Sequence, residues 1–100
     1  MYSLLVQFQV KPDKIDDFLK AARQVRQYNR KQAYKVPVIY RPLDPRSGKY
    51  MFEFSYDSRN ELQEEQQKQS TDEMWQRLMA LQEATFVPGT SSIDIFHKEV

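Results

Sequence analysis

Few side chains in this sequence can do acid–base, nucleophilic or metal chemistry. One histidine, His97, and no cysteine exclude thiolate nucleophiles, disulfides and cysteine-ligated zinc or iron–sulfur clusters. No serine or carboxylate is fixed by spacing as a partner for His97, so a partly exposed structural role outweighs a general-base role. There is no His-x-x-Glu or His-Glu-x-x-His spacing, and two glycines, Gly48 and Gly89, cannot build a phosphate-binding loop. Glu61, Glu64 and Glu65 lie in a polar helical segment and read as a solvated charge face before an acid/base pair. No metal and no other cofactor is expected. The remaining chemical resource is aromatic, and it is concentrated in one strand.

That strand is Lys49–Tyr56. Tyr50, Phe52, Phe54 and Tyr56 alternate with Met51, Glu53 and Ser55, the pattern of one buried aromatic face and one mixed face. Leu43–Gly48, with Pro45 and Gly48, predicts a hairpin loop from a preceding strand. Ser58 and Glu61 form a capping box that opens a helix. Four aromatics on one face need a cover, so the flanking amphipathic helices must lie over them.

The remaining elements follow from period and punctuation. Tyr2–Val10 alternates Leu4, Val6, Phe8 and Val10 against mostly amide side chains, a central strand. Pro12 and three early aspartates open a helix whose Ile15, Phe18, Leu19, Ala22 and Val25 make a core-facing stripe, with Arg30 and Lys31 near its end. Tyr34–Arg41 predicts a weaker strand, with Pro37 confined to an edge or a bulge. Ser58–Gln69 is helical and polar, with Leu62 its only large apolar residue. A second capping box, Ser70 with Glu73, predicts a break near Ser70. The helix then resumes to about Glu83, with Met74, Trp75, Leu78, Met79 and Leu81 as its apolar stripe. Val87–Thr90 is a turn, and Ser92–Lys98 is a last strand.

The order β-α-β-β-α-β predicts an α+β, ferredoxin-like fold: an antiparallel sheet with its helices on one face. The other face, carrying Leu5, Met51 and Phe96, gains by packing on a second copy, which predicts a homodimer. One hundred residues with 40% hydrophobic content fit a single domain over 1–100. No apolar run reaches a membrane span and no basic leader precedes the first strand, so a cytoplasmic protein with no membrane partner is expected. Net charge is +1. Residues 1–50 hold eleven Lys/Arg against four Asp/Glu, and residues 51–100 hold four against ten, so the halves are electrically complementary. Gly48–Phe54 superficially matches the aromatic strand of an RNA-recognition module. The Lys–Gly order is reversed, the first strand lacks a stacking aromatic and the net charge is near zero, so no nucleic-acid partner is expected.

Three stretches carry a family resemblance: Val10–Lys14 entering Phe18 and Leu19, Tyr40–Pro45 entering the aromatic strand, and Tyr56–Ser58 opening an acidic helix. Together they resemble the antibiotic-biosynthesis-monooxygenase type of dimeric α/β-barrel domain, over nearly the whole chain. The resemblance implies a homodimer whose two sheets form a barrel, with a small-molecule pocket between each sheet and its own helices. It also implies chemistry that varies within the family: cofactor-independent oxidation of aromatic or quinol substrates, haem degradation, or isomerisation. The Asn, Trp and His of haem-degrading relatives fall at Val6, Tyr56 and Leu78 here, so haem chemistry is not expected. The histidines that other members carry are missing from Gln66–Trp75. This leaves Tyr56, Trp75, Tyr40 and His97 as the candidate substrate-binding residues, with no catalytic residue assigned. Two functions stay open: a cofactor-independent monooxygenase acting on an aromatic or quinol-like molecule, and a non-catalytic binding or structural homodimer of the same fold.

Overall fold

Period-two alternation in the two longest strands sets the architecture. The computed structural model describes residues 1–99. Strands β1 (Tyr2–Gln9) and β3 (Lys49–Tyr56) pair antiparallel, with Tyr2 opposite Tyr56 and Phe8 opposite Tyr50. The short β2 (Val38–Tyr40) flanks β3, with Ile39 opposite Phe52, and β4 (Ser92–His97) flanks β1, with Val6 opposite Ile93. The sheet order is β2-β3-β1-β4, all antiparallel, the α+β, ferredoxin-like arrangement expected from the sequence. Helices α1 (Ile15–Lys31), α2 (Arg59–Ser70) and α3 (Glu73–Glu83) complete the fold, and α1 packs on α3.

The register puts Leu4, Val6 and Phe8 on the same face as Phe52, Phe54 and Tyr56, and that face meets the helices. At one end it is close-packed: Phe8, Val10, Phe18, Ala22, Tyr50 and Phe52 form the core. Phe18 of α1 lies 4.9 Å from Tyr50 and 5.4 Å from Phe8 between ring centroids, and Phe86 stacks on Phe8 at 4.0 Å. The other sheet face carries Val38, Tyr40 and Phe96, all exposed. β4 is exposed along its whole length, so Ile93 and Ile95 are open to solvent even on the helix side.

Four sequence expectations are corrected. The strand predicted over Tyr34–Arg41 narrows to Val38–Tyr40, because Pro37 has no N–H and the preceding amides are used elsewhere: Tyr34 N–H donates to Asn29 O at 2.8 Å and Lys35 N–H to Glu65 Oε1 at 2.6 Å. The helix break occurs as expected, but α3 is capped by Asp72, whose Oδ1 accepts from Trp75 N–H at 3.0 Å. Ser70 ends α2 instead. In the first cap, Ser58 Oγ accepts from Glu61 N–H at 3.1 Å, while the Glu61 carboxylate takes the Asp57 amide at 2.8 Å rather than that of Ser58. Along α3, Met74 and Leu81 are exposed and the inward line is Trp75, Leu78, Met79 and Gln82, which keeps strict i, i+3, i+4, i+7 spacing.

Candidate functional site

The aromatic face of β3 is longer than the packed core above it. Tyr50 and Phe52 are covered by Phe18, but towards Phe54 and Tyr56 the helices stand off and leave a cavity of about 420 Å³. Its floor is Leu4 and Val6 of β1 with Phe52, Phe54 and Tyr56 of β3. Its roof is Val25 and Asn29 of α1 with Trp75, Met79 and Gln82 of α3, and Gln66 and Gln69 of α2 close one side. The floor is apolar and the roof carries amides. Such a chamber holds a flat ring and offers hydrogen bonds along one edge.

Tyr56 and Trp75 line this one cavity. Tyr56 is buried, and its hydroxyl donates to Glu65 Oε2. Burial and then that hydrogen bond push the Tyr56 hydroxyl far above the ordinary tyrosine range. Trp75 is half-buried and sits three residues after the α3 cap. Asp72 holds that cap in place from outside the cavity: it accepts from the Tyr28 hydroxyl at 2.7 Å and from the Tyr34 hydroxyl at 2.7 Å. The end of α1, the following loop and the start of α3 therefore converge on one carboxylate.

Tyr40 and His97, expected beside them, stand outside the cavity. Residues alternate in β2, so Ile39 faces the helices and Tyr40 faces away, its hydroxyl donating to Glu53 Oε1 at 2.8 Å across the open sheet face. His97 is exposed at the end of β4, its ring 5.0 Å from that of Tyr2.

The residue that sequence reading missed is Glu65. Read as part of a solvated charge face, it is 8% exposed and bonded through both oxygens, to the Tyr56 hydroxyl and the Lys35 amide. Its spacing was the available signal: Glu65 follows Leu62 by three residues, so the two share the single inward edge of an otherwise polar helix. Asn29 was also unforeseen. It continues the α1 stripe four residues past Val25, is 2% exposed, and donates through Nδ2 to Lys35 O at 3.2 Å, while its Oδ1 has no partner among the described residues. Among the described residues, no group of three His, Cys, Asp or Glu side chains could hold a metal ion.

No protein-family model matches the chain, and no curated protein matches it. Solved structures do. A crystal structure of an antibiotic biosynthesis monooxygenase superposes with a TM-score of 0.76 at 20% identity, covering 100% of both chains. An Agrobacterium tumefaciens protein gives a TM-score of 0.79 at 13% identity, over 99% of this chain and 94% of its own. An uncharacterized NIPSNAP domain protein from Burkholderia xenovorans gives 0.78 at 12% identity, over 99% and 95%. The chain has the fold of the antibiotic-biosynthesis-monooxygenase-like proteins.

Proposed function

We propose that this chain binds a flat, largely apolar small molecule between its sheet and its helices. One observation carries the reading: the aromatic face of β3 is close-packed at Tyr50 and Phe52 but left uncovered at Phe54 and Tyr56, over a cavity of about 420 Å³. Cavities of roughly 300–1,000 Å³ with apolar walls and a few polar groups are the usual form of small-molecule sites. In this reading Phe54 and the Tyr56 ring stack on the ligand, Trp75 closes over it, and Gln66 and Gln69 meet its polar edge.

The working unit in this proposal is a one-domain homodimer in the cytoplasm, its two sheets facing each other as a barrel. The exposed Val38, Tyr40 and Phe96 on the outer sheet face and the uncovered Ile93 and Ile95 of β4 support it. Light scattering should then report about twice the 12.0 kDa chain mass.

Likeness of fold to an antibiotic biosynthesis monooxygenase favours a second, catalytic reading. The cavity would desolvate a phenol or quinol and stabilise its anion, which then reduces oxygen without a bound cofactor. The Tyr56 hydroxyl is committed to Glu65, so its part is to orient the ring by stacking. Calorimetric titration with naphthols and flavonoids tests binding, and oxygen consumption across a phenol and quinol panel tests turnover. Saturable heat with one site per chain supports the binding reading. Oxygen uptake that tracks substrate supports the catalytic one. No heat with any flat aromatic would overturn both.

A further inference from the structure

One positive charge lines the cavity. Among its described lining residues, Arg26 is the single cation, on α1 beside Val25 and one turn before Asn29. It is half-buried and makes no ion pair and no side-chain hydrogen bond among the described residues. Its neighbours Arg23 and Arg30 are exposed, where water satisfies a guanidinium at little cost. Arg26 loses part of that water to an apolar wall and gains no partner in exchange, which is the situation an anion relieves.

The one carboxylate in the wall does not neutralise it. Glu83 is exposed and ends α3, an eleven-residue helix about 16 Å long at ~1.5 Å per residue. Arg26 lies two residues before Tyr28, whose hydroxyl reaches Asp72 at the other end of α3. Arg26 and Glu83 form no ion pair among the described residues.

We infer that the ligand of this cavity is an acid: a flat apolar body over Phe54 and Tyr56 with a carboxylate, or an equivalent anionic oxygen group, seated on the Arg26 guanidinium. This rests on the binding reading above and names the ligand class that reading leaves open. A carboxylate accepts two parallel N–H bonds from a guanidinium, a geometry that a neutral carboxamide of the same shape cannot match.

The test is calorimetric titration of the full chain with naphthoate and with naphthamide, an acid and a neutral molecule of nearly the same shape. Wild type should bind naphthoate at least tenfold more tightly, and added salt should narrow the gap. Arg26→Gln should abolish the preference, with the loss of affinity falling mainly on naphthoate. Arg23→Gln, on the exposed face of the same helix, should leave the preference intact. Should Arg26→Gln fold poorly, Arg26→Lys serves in its place and should reduce the preference through loss of the bidentate geometry. Equal affinity for the two probes in wild type, a preference that survives Arg26→Gln, or one that Arg26→Lys leaves undiminished, overturns the inference and leaves the cavity reading standing. Binding of neither probe overturns the inference together with the cavity reading.

Discussion

The Tyr56 hydroxyl donates to one oxygen of the Glu65 carboxylate, and the other oxygen accepts the Lys35 amide at 2.6 Å. One buried side chain thus ties the end of β3 to α2 and to the segment leading into β2. α2 buries only Leu62 and Glu65, so this polar joint does much of the work of holding it over the cavity. Tyr56→Phe removes a donor and leaves a buried carboxylate short of a partner, at an expected cost of about 1–3 kcal/mol. Glu65→Gln keeps an acceptor for Lys35 and should cost less than Glu65→Leu. Urea unfolding midpoints of the three variants check the order.

The alkaline limb of stability should depend on Tyr34. Its hydroxyl donates to Asp72, and that hydrogen bond, with burial, raises it from 10.0 to about 12. The folded state holds this proton more tightly than the unfolded chain. The contribution is therefore complete below pH 10.0 and lost as pH rises towards about 12. Asp72 runs the other way. The Trp75 amide and then the Tyr34 hydroxyl hold it below the ordinary carboxylate range, so its contribution is present above the unfolded value and lost as acid protonates it. Asp72→Asn should return Tyr34 towards the ordinary tyrosine range. The difference in ultraviolet phenolate titration between each protein and its Tyr34→Phe counterpart gives the curve directly.

Gly48 and Gly89 both adopt positive φ, +66° and +78°, but only one is crowded. A Cβ at position 48 would stand 2.7 Å from Val10 O, whereas one at position 89 meets nothing within 4 Å. Gly89→Ala should cost about 1 kcal/mol from the left-handed backbone alone. Gly48→Ala adds a clash with the β1 end and should cost about 2–3 kcal/mol. Chemical denaturation of the two variants under one set of conditions separates strain from crowding.

Phe18 and Trp75 should differ in the same assay. Phe18 is fully enclosed by Phe8, Tyr50 and Phe52, and Phe18→Ala should cost about 3–5 kcal/mol. Trp75 is half-buried and faces the cavity on one side, so it gives up fewer contacts and Trp75→Ala should cost less than half as much. Equal losses would mean that the space beside Trp75 is filled in solution.

The strands and helices were legible because hydrophobic period and capping residues are local. Tyr50 to Tyr56, the α1 stripe and the break between α2 and α3 all follow from neighbours within a few positions. The site was only half legible. Tyr56 and Trp75 belong to faces that must meet, so their approach follows from periodicity. Glu65 and Asn29 are polar residues whose burial depends on partners six to thirty positions away, at Lys35 in both cases. Tyr40 misleads because its face is fixed by the register of β2 against β3, and a strand cut to three residues by Pro37 gives too little alternation to read.

Binding in the cavity is the central claim, and the single tryptophan makes it directly observable. The Trp75 indole N–H gives one resonance in a proton–nitrogen correlation spectrum, and naphthoate can be titrated against it. The expected result is a progressive, saturable shift of that resonance, together with the side-chain amides of Gln66 and Gln69, at one ligand per chain. A Trp75 resonance that does not move at saturating naphthoate and naphthamide, or shifts confined to the exposed residues of β4, would contradict it.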